Sequence, residues 1–218
     1  MEIVFLFYEG MTGLDLVGPH EILCRLTGST VKRVSRVPGS VRTDSGLILT
    51  AEYALSDVSK ADVLVIPGAG SATSLSKYPE ILAWVRSIHE TTTWTTSVCT
   101  GSIILGAAGV LRGKKATSHW AALDRLHKWE AIPIQERIVK DGKVMTAAGV
   151  SAGIDMALTL TAEIAGQSFA EAMQLGIEYD PMPPFDVGSP AKANPVILEE
   201  LRASMIGSFE EEYELKNN

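Results

Sequence analysis

Short, wholly apolar runs alternate along this chain with longer stretches in which apolar residues recur every three or four positions. Ile3 to Tyr8 (IVFLFY) and Asp62 to Ile66 (DVLVI) read as strands buried on both faces, because parallel strands covered by helices lose the polar half of their alternation. Val31 to Ser35 and Trp94 to Val98 are further strands. The first helix is expected from Asp15 or Leu16 to Leu26, with Leu16, Ile22, Leu23 and Leu26 as its buried stripe. Pro79 suits the first turn of a helix reaching about Thr91. Helical patterns follow from Gly101 to near Gly109, from His119 to Trp129 and from Ser151 to Ala165. Ser168 and Glu171 have capping-box spacing for another helix ending near Tyr179, and a last one covers about Pro195 to Phe209. Val41 to Thr50 reads as extended around a turn at Asp44, Ser45 and Gly46. Asp141-Gly142 is a hairpin signal between Gln135 to Lys140 and Lys143 to Ala147. Asp180 to Pro190 is too proline-rich for either regular structure. Alternation of this kind predicts an α/β fold: a mostly parallel sheet with helices on both faces.

Composition narrows the class. At 218 residues the chain is expected to form a single domain, 1–218, with a substantial core. Hydrophobic residues make up 46%, and mean hydropathy is +0.15, as in a compact enzyme with a heavily buried sheet. A net charge of -7 without a basic stripe argues against a nucleic-acid partner. No apolar run is long enough for a membrane span, and the N-terminus opens on Glu2 rather than a basic region, so it reads as strand rather than signal peptide. Cys24 and Cys99 are distant, and no Cys/His ligand spacing exists. Neither a structural zinc site nor a disulfide framework is therefore expected, and a reducing, cytoplasmic location is.

The chemistry concentrates at strand ends, where open α/β sheets place their sites. A β-branched run meets Cys99 directly, and Thr100, Gly101 and Ser102 lead into a helix. This strand–turn–helix is a nucleophile elbow carrying a thiol. The helix N-terminus is expected to favour thiolate at Cys99. The first strand leads to Asp15, read either as an acid/base or as an N-cap of its own helix. The DVLVI strand leads through Pro67 to Gly68, Ala69 and Gly70, and the amide hydrogens of these last three, with that of Thr100, are candidate anion-stabilising donors. His119 follows a short extended segment and is either near Cys99 or a structural residue opening a helix. His20 is a candidate outer partner of Asp15, His89 and His127 read as helix-surface residues, and Cys24 as an inert residue on an inner stripe.

The segments LDLVGPHEIL, DVLVIPGAG, SVCTGSIILGAAGVLRGKKATSHW, TAAGVSAGIDMALTL and QLGIEYDPMPPFDVGSP resemble the ThiJ/PfpI superfamily, from about Ile3 to Pro190. The LDLVGP and IEYDPMPPFD segments place the resemblance in its isonitrile-hydrating branch. AraC-type regulators share some of these segments but append a helix-turn-helix module, which this acidic chain does not show. The resemblance implies a flavodoxin-like sandwich, no cofactor, a homodimer and a small-molecule substrate: an isonitrile, R–N≡C, hydrated to a formamide. Cys99 matches the nucleophile, Thr100 the residue after it and Asp15 the acidic residue beside the thiol. Many superfamily members carry Glu there. In the implied cycle a Cys99 thioimidate forms, Asp15 acts first as acid and then as base, and Thr100 hydrogen-bonds the water or nitrogen. Met11, Trp120 and Met182 are candidate pocket residues for R. Competing expectations are a redox-sensing regulator in which Cys99 oxidises, and a glyoxalase or deglycase acting on small α-oxoaldehydes through Cys99 and His119.

Overall fold

The computed structural model describes residues 1–70 and 78–214, with side chains of the last helix described as far as Met205. Along the chain run β1 (Glu2–Leu6), α1 (Gly13–Leu23), β2 (Thr30–Ser35), β3 (Gly39–Arg42), β4 (Ile48–Ala51), β5 (Tyr53–Ala54), β6 (Val63–Ile66), α2 (Pro79–Thr91), β7 (Trp94–Val98), α3 (Gly101–Ala107) and β8 (Lys115–Ala116). A 3-10 helix (Trp120–Trp129), β9 (Ile132–Pro133), β10 (Ile138–Asp141), β11 (Val144–Ala147), α4 (Ala152–Ala165), α5 (Gln167–Gly176) and α6 (Pro195–Glu214) follow. Among the described residues the main sheet has seven strands in the order β10-β11-β7-β6-β1-β2-β5. Every pairing in it is parallel except the β10–β11 hairpin, which turns at Gly142 with φ +61°. Helices α1 and α5 both pack on α4, and α2 packs against α3. The expected α/β architecture, with helices covering a mostly parallel sheet, is what forms.

The reason is visible in burial. Ile3 to Leu6 and Val63 to Ile66 expose nothing, so the central strands carry apolar side chains on both faces. Their carboxyl ends, and those of β7, line up at one edge because β1, β6 and β7 are adjacent in the sheet.

Three local expectations change. The segment after His119 is a 3-10 helix rather than an α-helix. α5 opens at Gln167 behind Gly166, so Ser168 is no cap; Gln167 Nε2 donates instead to Glu171 Oε1 at 2.7 Å. It stops before Glu178, whose φ is +51°. α1 begins at Gly13, two residues earlier than the apolar stripe implies, and contains Pro19. Proline has no amide hydrogen, so the carbonyl of Asp15, four residues back, lacks its helical donor.

Candidate active site

Cys99 sits at φ +57°, a left-handed conformation that costs a non-glycine residue about 1–3 kcal/mol. The surroundings over-determine it. Its amide hydrogen is shared by the carbonyls of Ala147 and Ala148 at 3.1 and 2.9 Å, and its own carbonyl accepts from Ser102 Oγ and Ser118 Oγ, both at 3.2 Å. Gly101 is required beside it. A Cβ there would lie 2.3 Å from the Ile66 carbonyl oxygen. The elbow is therefore pressed against the end of β6, and the thiol is held in place with 6% of Cys99 exposed.

Asp15 is fully buried, inside α1 rather than capping it. Oδ2 accepts from the Gly68 amide at 2.8 Å, whereas Oδ1 is buried without a hydrogen-bond partner. Burial, first, and the Asp44 carboxylate push its pKa from 3.8 up to about 7, against the Gly68 and Cys99 hydrogen bonds, which lower it. The cap reading of Asp15 thus gives way to a carboxyl aimed at the elbow. Thr12, which does precede the helix, turns its hydroxyl to Asp44 Oδ2 at 2.6 Å.

The thiol does not follow the helix-dipole expectation. Burial, and then the Asp15 carboxylate, push Cys99 up to about 12, although the amides of Val150 and Thr100 and the Thr100 hydroxyl hydrogen-bond it and pull it down. The dipole of a seven-residue helix is outweighed by desolvation and by a neighbouring anion. At neutral pH the resting proton is on sulfur.

The loop after β6 also has a different job from the one its amides suggest. Gly68 N–H is taken by Asp15, and Ala69 N–H by Thr100 Oγ1 at 2.8 Å, so neither is free to stabilise an anion. Thr100 Oγ1 in turn donates to Ala69 O at 2.6 Å. It thereby fastens the loop to the elbow. Gly68 is required for this contact, since a Cβ would come within 2.6 Å of the Thr100 amide nitrogen. Gly70 lies exposed beyond it.

Beside the elbow opens a cavity of about 700 Å³ lined by Ser118, His119, Trp120, Val150 and the Gly188–Ala191 segment. Trp120 is one of the residues that line this cavity. Met11 is wholly buried in the core, and Met182 is 88% exposed, so neither lines it. His119 faces the cavity but accepts from the Ala121 amide through Nδ1 at 3.2 Å, which caps the 3-10 helix. Burial lowers its pKa, leaving it neutral. His20 is turned towards Arg33 Nη1, 3.0 Å away, and packs on Phe5 rather than supporting Asp15. His89 is half-buried and hydrogen-bonded to Thr95 Oγ1 at 2.8 Å, not a surface residue. Cys24 is half-buried, its thiol 3.7 Å from the Glu21 carbonyl.

Residues that the sequence did not single out complete the site: Val150, with φ +28° and its amide on the sulfur, Ser118, which joins Ser102 on the elbow carbonyl, and Asp44 beside Asp15. Among the described residues no group of three His, Cys, Asp or Glu side chains is placed to hold a metal ion. No described helix is long and apolar enough to cross a membrane.

Residues 1–163 match the model of the DJ-1/PfpI family. The chain belongs to this family. It is 41% identical over 202 residues to the isonitrile hydratase of Pseudomonas putida, covering 93% of this chain and 89% of that protein. It is 32% identical over 136 residues to the HTH-type transcriptional regulator CdhR of Pseudomonas aeruginosa, covering 61% of this chain and 40% of the regulator. The crystal structure of a ThiJ/PfpI family protein from Pseudomonas syringae superposes with a TM-score of 0.91 at 39% identity, covering 95% of this chain and 88% of that one.

Proposed function

We propose that this DJ-1/PfpI protein is an isonitrile hydratase, with Cys99 as nucleophile and Asp15 as the single acid/base. The observation that carries this reading is a fully buried carboxyl, one oxygen unpartnered, beside a thiol held on a strained turn. The similarity to the Pseudomonas putida isonitrile hydratase supports it. The active form holds one proton between the two groups. Asp15 takes the thiol proton as sulfur attacks the terminal carbon of R–N≡C, then delivers it to that carbon, giving R–N=CH–S–Cys99. Water adds to the same carbon while Asp15 removes one of its protons and passes it to nitrogen. The hydroxyl proton of the adduct then goes to sulfur as the C–S bond breaks, releasing R–NH–CHO. A carboxyl raised to about 7 suits both transfers. The R group occupies the cavity at Trp120.

The protein works on this small-molecule substrate in a reducing cytoplasm, without a cofactor, as a homodimer. Both thiols are free. Leu175, Met182, Phe185 and Val187 expose apolar side chains of a kind that association covers. The test is formamide production from a simple alkyl isonitrile, with methylglyoxal turned over in parallel. Wild type is expected to form the formamide, and folded Cys99→Ala none. Retention of most activity in Cys99→Ala refutes the nucleophile. Turnover of methylglyoxal alone replaces the reading with a glyoxalase or deglycase.

A further inference from the structure

Tyr8, just beyond β1, has no part in the cycle above, yet its phenol lies buried among the groups that do. Its hydroxyl donates to the Pro67 carbonyl at 2.8 Å. The Pro67 carbonyl and the Gly68 amide belong to one planar peptide group, and the Gly68 end donates to Asp15 Oδ2, also at 2.8 Å. A single peptide unit is thus gripped at both ends, O–H···O=C–N–H···O–C, with Asp15 as the final acceptor. Just beyond this unit, the Gly68 carbonyl accepts from the Thr12 amide at 2.8 Å. The Pro67 oxygen is also confined by the elbow, 3.0 Å from where a Gly101 Cβ would stand.

We propose that Tyr8 is a positioning residue for the acid/base carboxyl, orienting and polarising the Pro67–Gly68 peptide so that its amide hydrogen is held on Asp15. The proposal deepens the hydratase reading and rests on it for its catalytic meaning. A hydrogen bond accepted by a carbonyl shifts electron density from the amide nitrogen and makes its hydrogen a stronger donor, so the two bonds reinforce each other. The stronger donor favours the ionised form of Asp15. Burial and the nearby Asp15, Cys99 and Asp44 hold the ionisation of Tyr8 well above its ordinary value, so it stays a donor throughout the working range. Among the described residues the titratable groups facing Asp15 are Cys99 from the elbow, Asp44 from the β3–β4 turn and Tyr8, and of these Tyr8 reaches Asp15 through a peptide group.

The experiment reads Asp15 directly. The infrared band of its protonated carboxyl, assigned by its loss in Asp15→Asn, is followed against pH in wild type, in Tyr8→Phe and in protein carrying 3-fluorotyrosine at position 8. Removing the hydroxyl is expected to raise the midpoint by about half a pH unit, roughly three-fold in proton affinity; the more acidic fluorophenol is expected to lower it. The rising limb of kcat/KM against pH moves with each midpoint. Midpoints that stay together in all three proteins overturn the proposal. If Tyr8→Phe does not fold, the fluorotyrosine protein alone decides by the direction of its shift. Because the band needs no turnover, opposite shifts in a protein that makes no formamide sustain the positioning role while refuting the hydratase reading.

Discussion

Asp15→Asn should leave the protein inactive and yet more stable as pH rises. A carboxyl whose pKa climbs from 3.8 to about 7 on folding binds its proton more tightly in the native state than in the unfolded chain. Between those two values the native state holds more protons, so stability falls with rising pH. The contribution is fully present below about 4 and lost once pH passes about 7. A rise of this size corresponds to about 4 kcal/mol, a large share of a typical domain's stability. Asparagine keeps the volume and an oxygen for the Gly68 amide but carries no titrating proton. The assay is urea denaturation of wild type and variant at intervals from pH 4 to 8.5, and the quantity is the difference between them. The half-buried His20, His89 and His119 titrate alike in both proteins and cancel. The difference should grow by up to about 4 kcal/mol in favour of Asp15→Asn and then level off. Any constant offset, such as the one from placing an amide beside the thiol, drops out of the slope. A difference that stays flat across the window refutes the buried, raised carboxyl.

Two further outcomes follow from the same geometry. Since the active form carries one proton on the Asp15–Cys99 pair, kcat/KM should rise as pH increases through about 7; Asp44→Asn removes a like charge and should move that limb to lower pH, by less in high salt, as a pH–rate series in two salt concentrations will show. His119→Ala should cost about 1 kcal/mol of stability through the lost cap but reduce kcat far less than Asp15→Asn, measured by denaturation and steady-state kinetics; an equal loss of kcat would make His119 a proton carrier.

The framework was readable because central parallel strands leave a plain mark. Ile3 to Leu6 and Val63 to Ile66 have no polar side to confuse the pattern, and both are strands. The elbow was readable for a related reason: a β-branched strand ending in Cys-Thr-Gly-Ser leaves little room for anything but a tight turn. What stayed hidden depends on partners far away in the chain. The amides of Gly68 and Ala69 look free in a glycine-rich loop, but their acceptors lie 53 and 31 residues distant. The Cys99 thiol looks acidic from its position before a helix, whereas the opposing terms, burial and Asp15, come from other elements. For Asp15 the sequence supports cap and acid equally, and what separates them is that Thr12 precedes the helix. Met11 and Met182 fail as pocket residues because side-chain chemistry says nothing of whether a methionine ends in the core or in solvent.

The strands that carry this site are neighbours in the sheet but strangers in the sequence. The clamp on Asp15 joins residues 53 positions apart, and the one between Ala69 and Thr100 spans 31. Each such loop must be closed, at an entropic cost, before its contacts give anything back. No fragment that stops short of β7 can therefore hold the pocket, and a chain emerging during synthesis has no active site until most of the sheet has formed. The penalty for burying Asp15 falls at that same late moment. Below pH 4 the carboxyl enters the interior already neutral, and at pH 8 it must first collect a proton or be buried as an anion. Burial of Asp15 is consequently a point at which acidity of the medium acts on the folding of this protein.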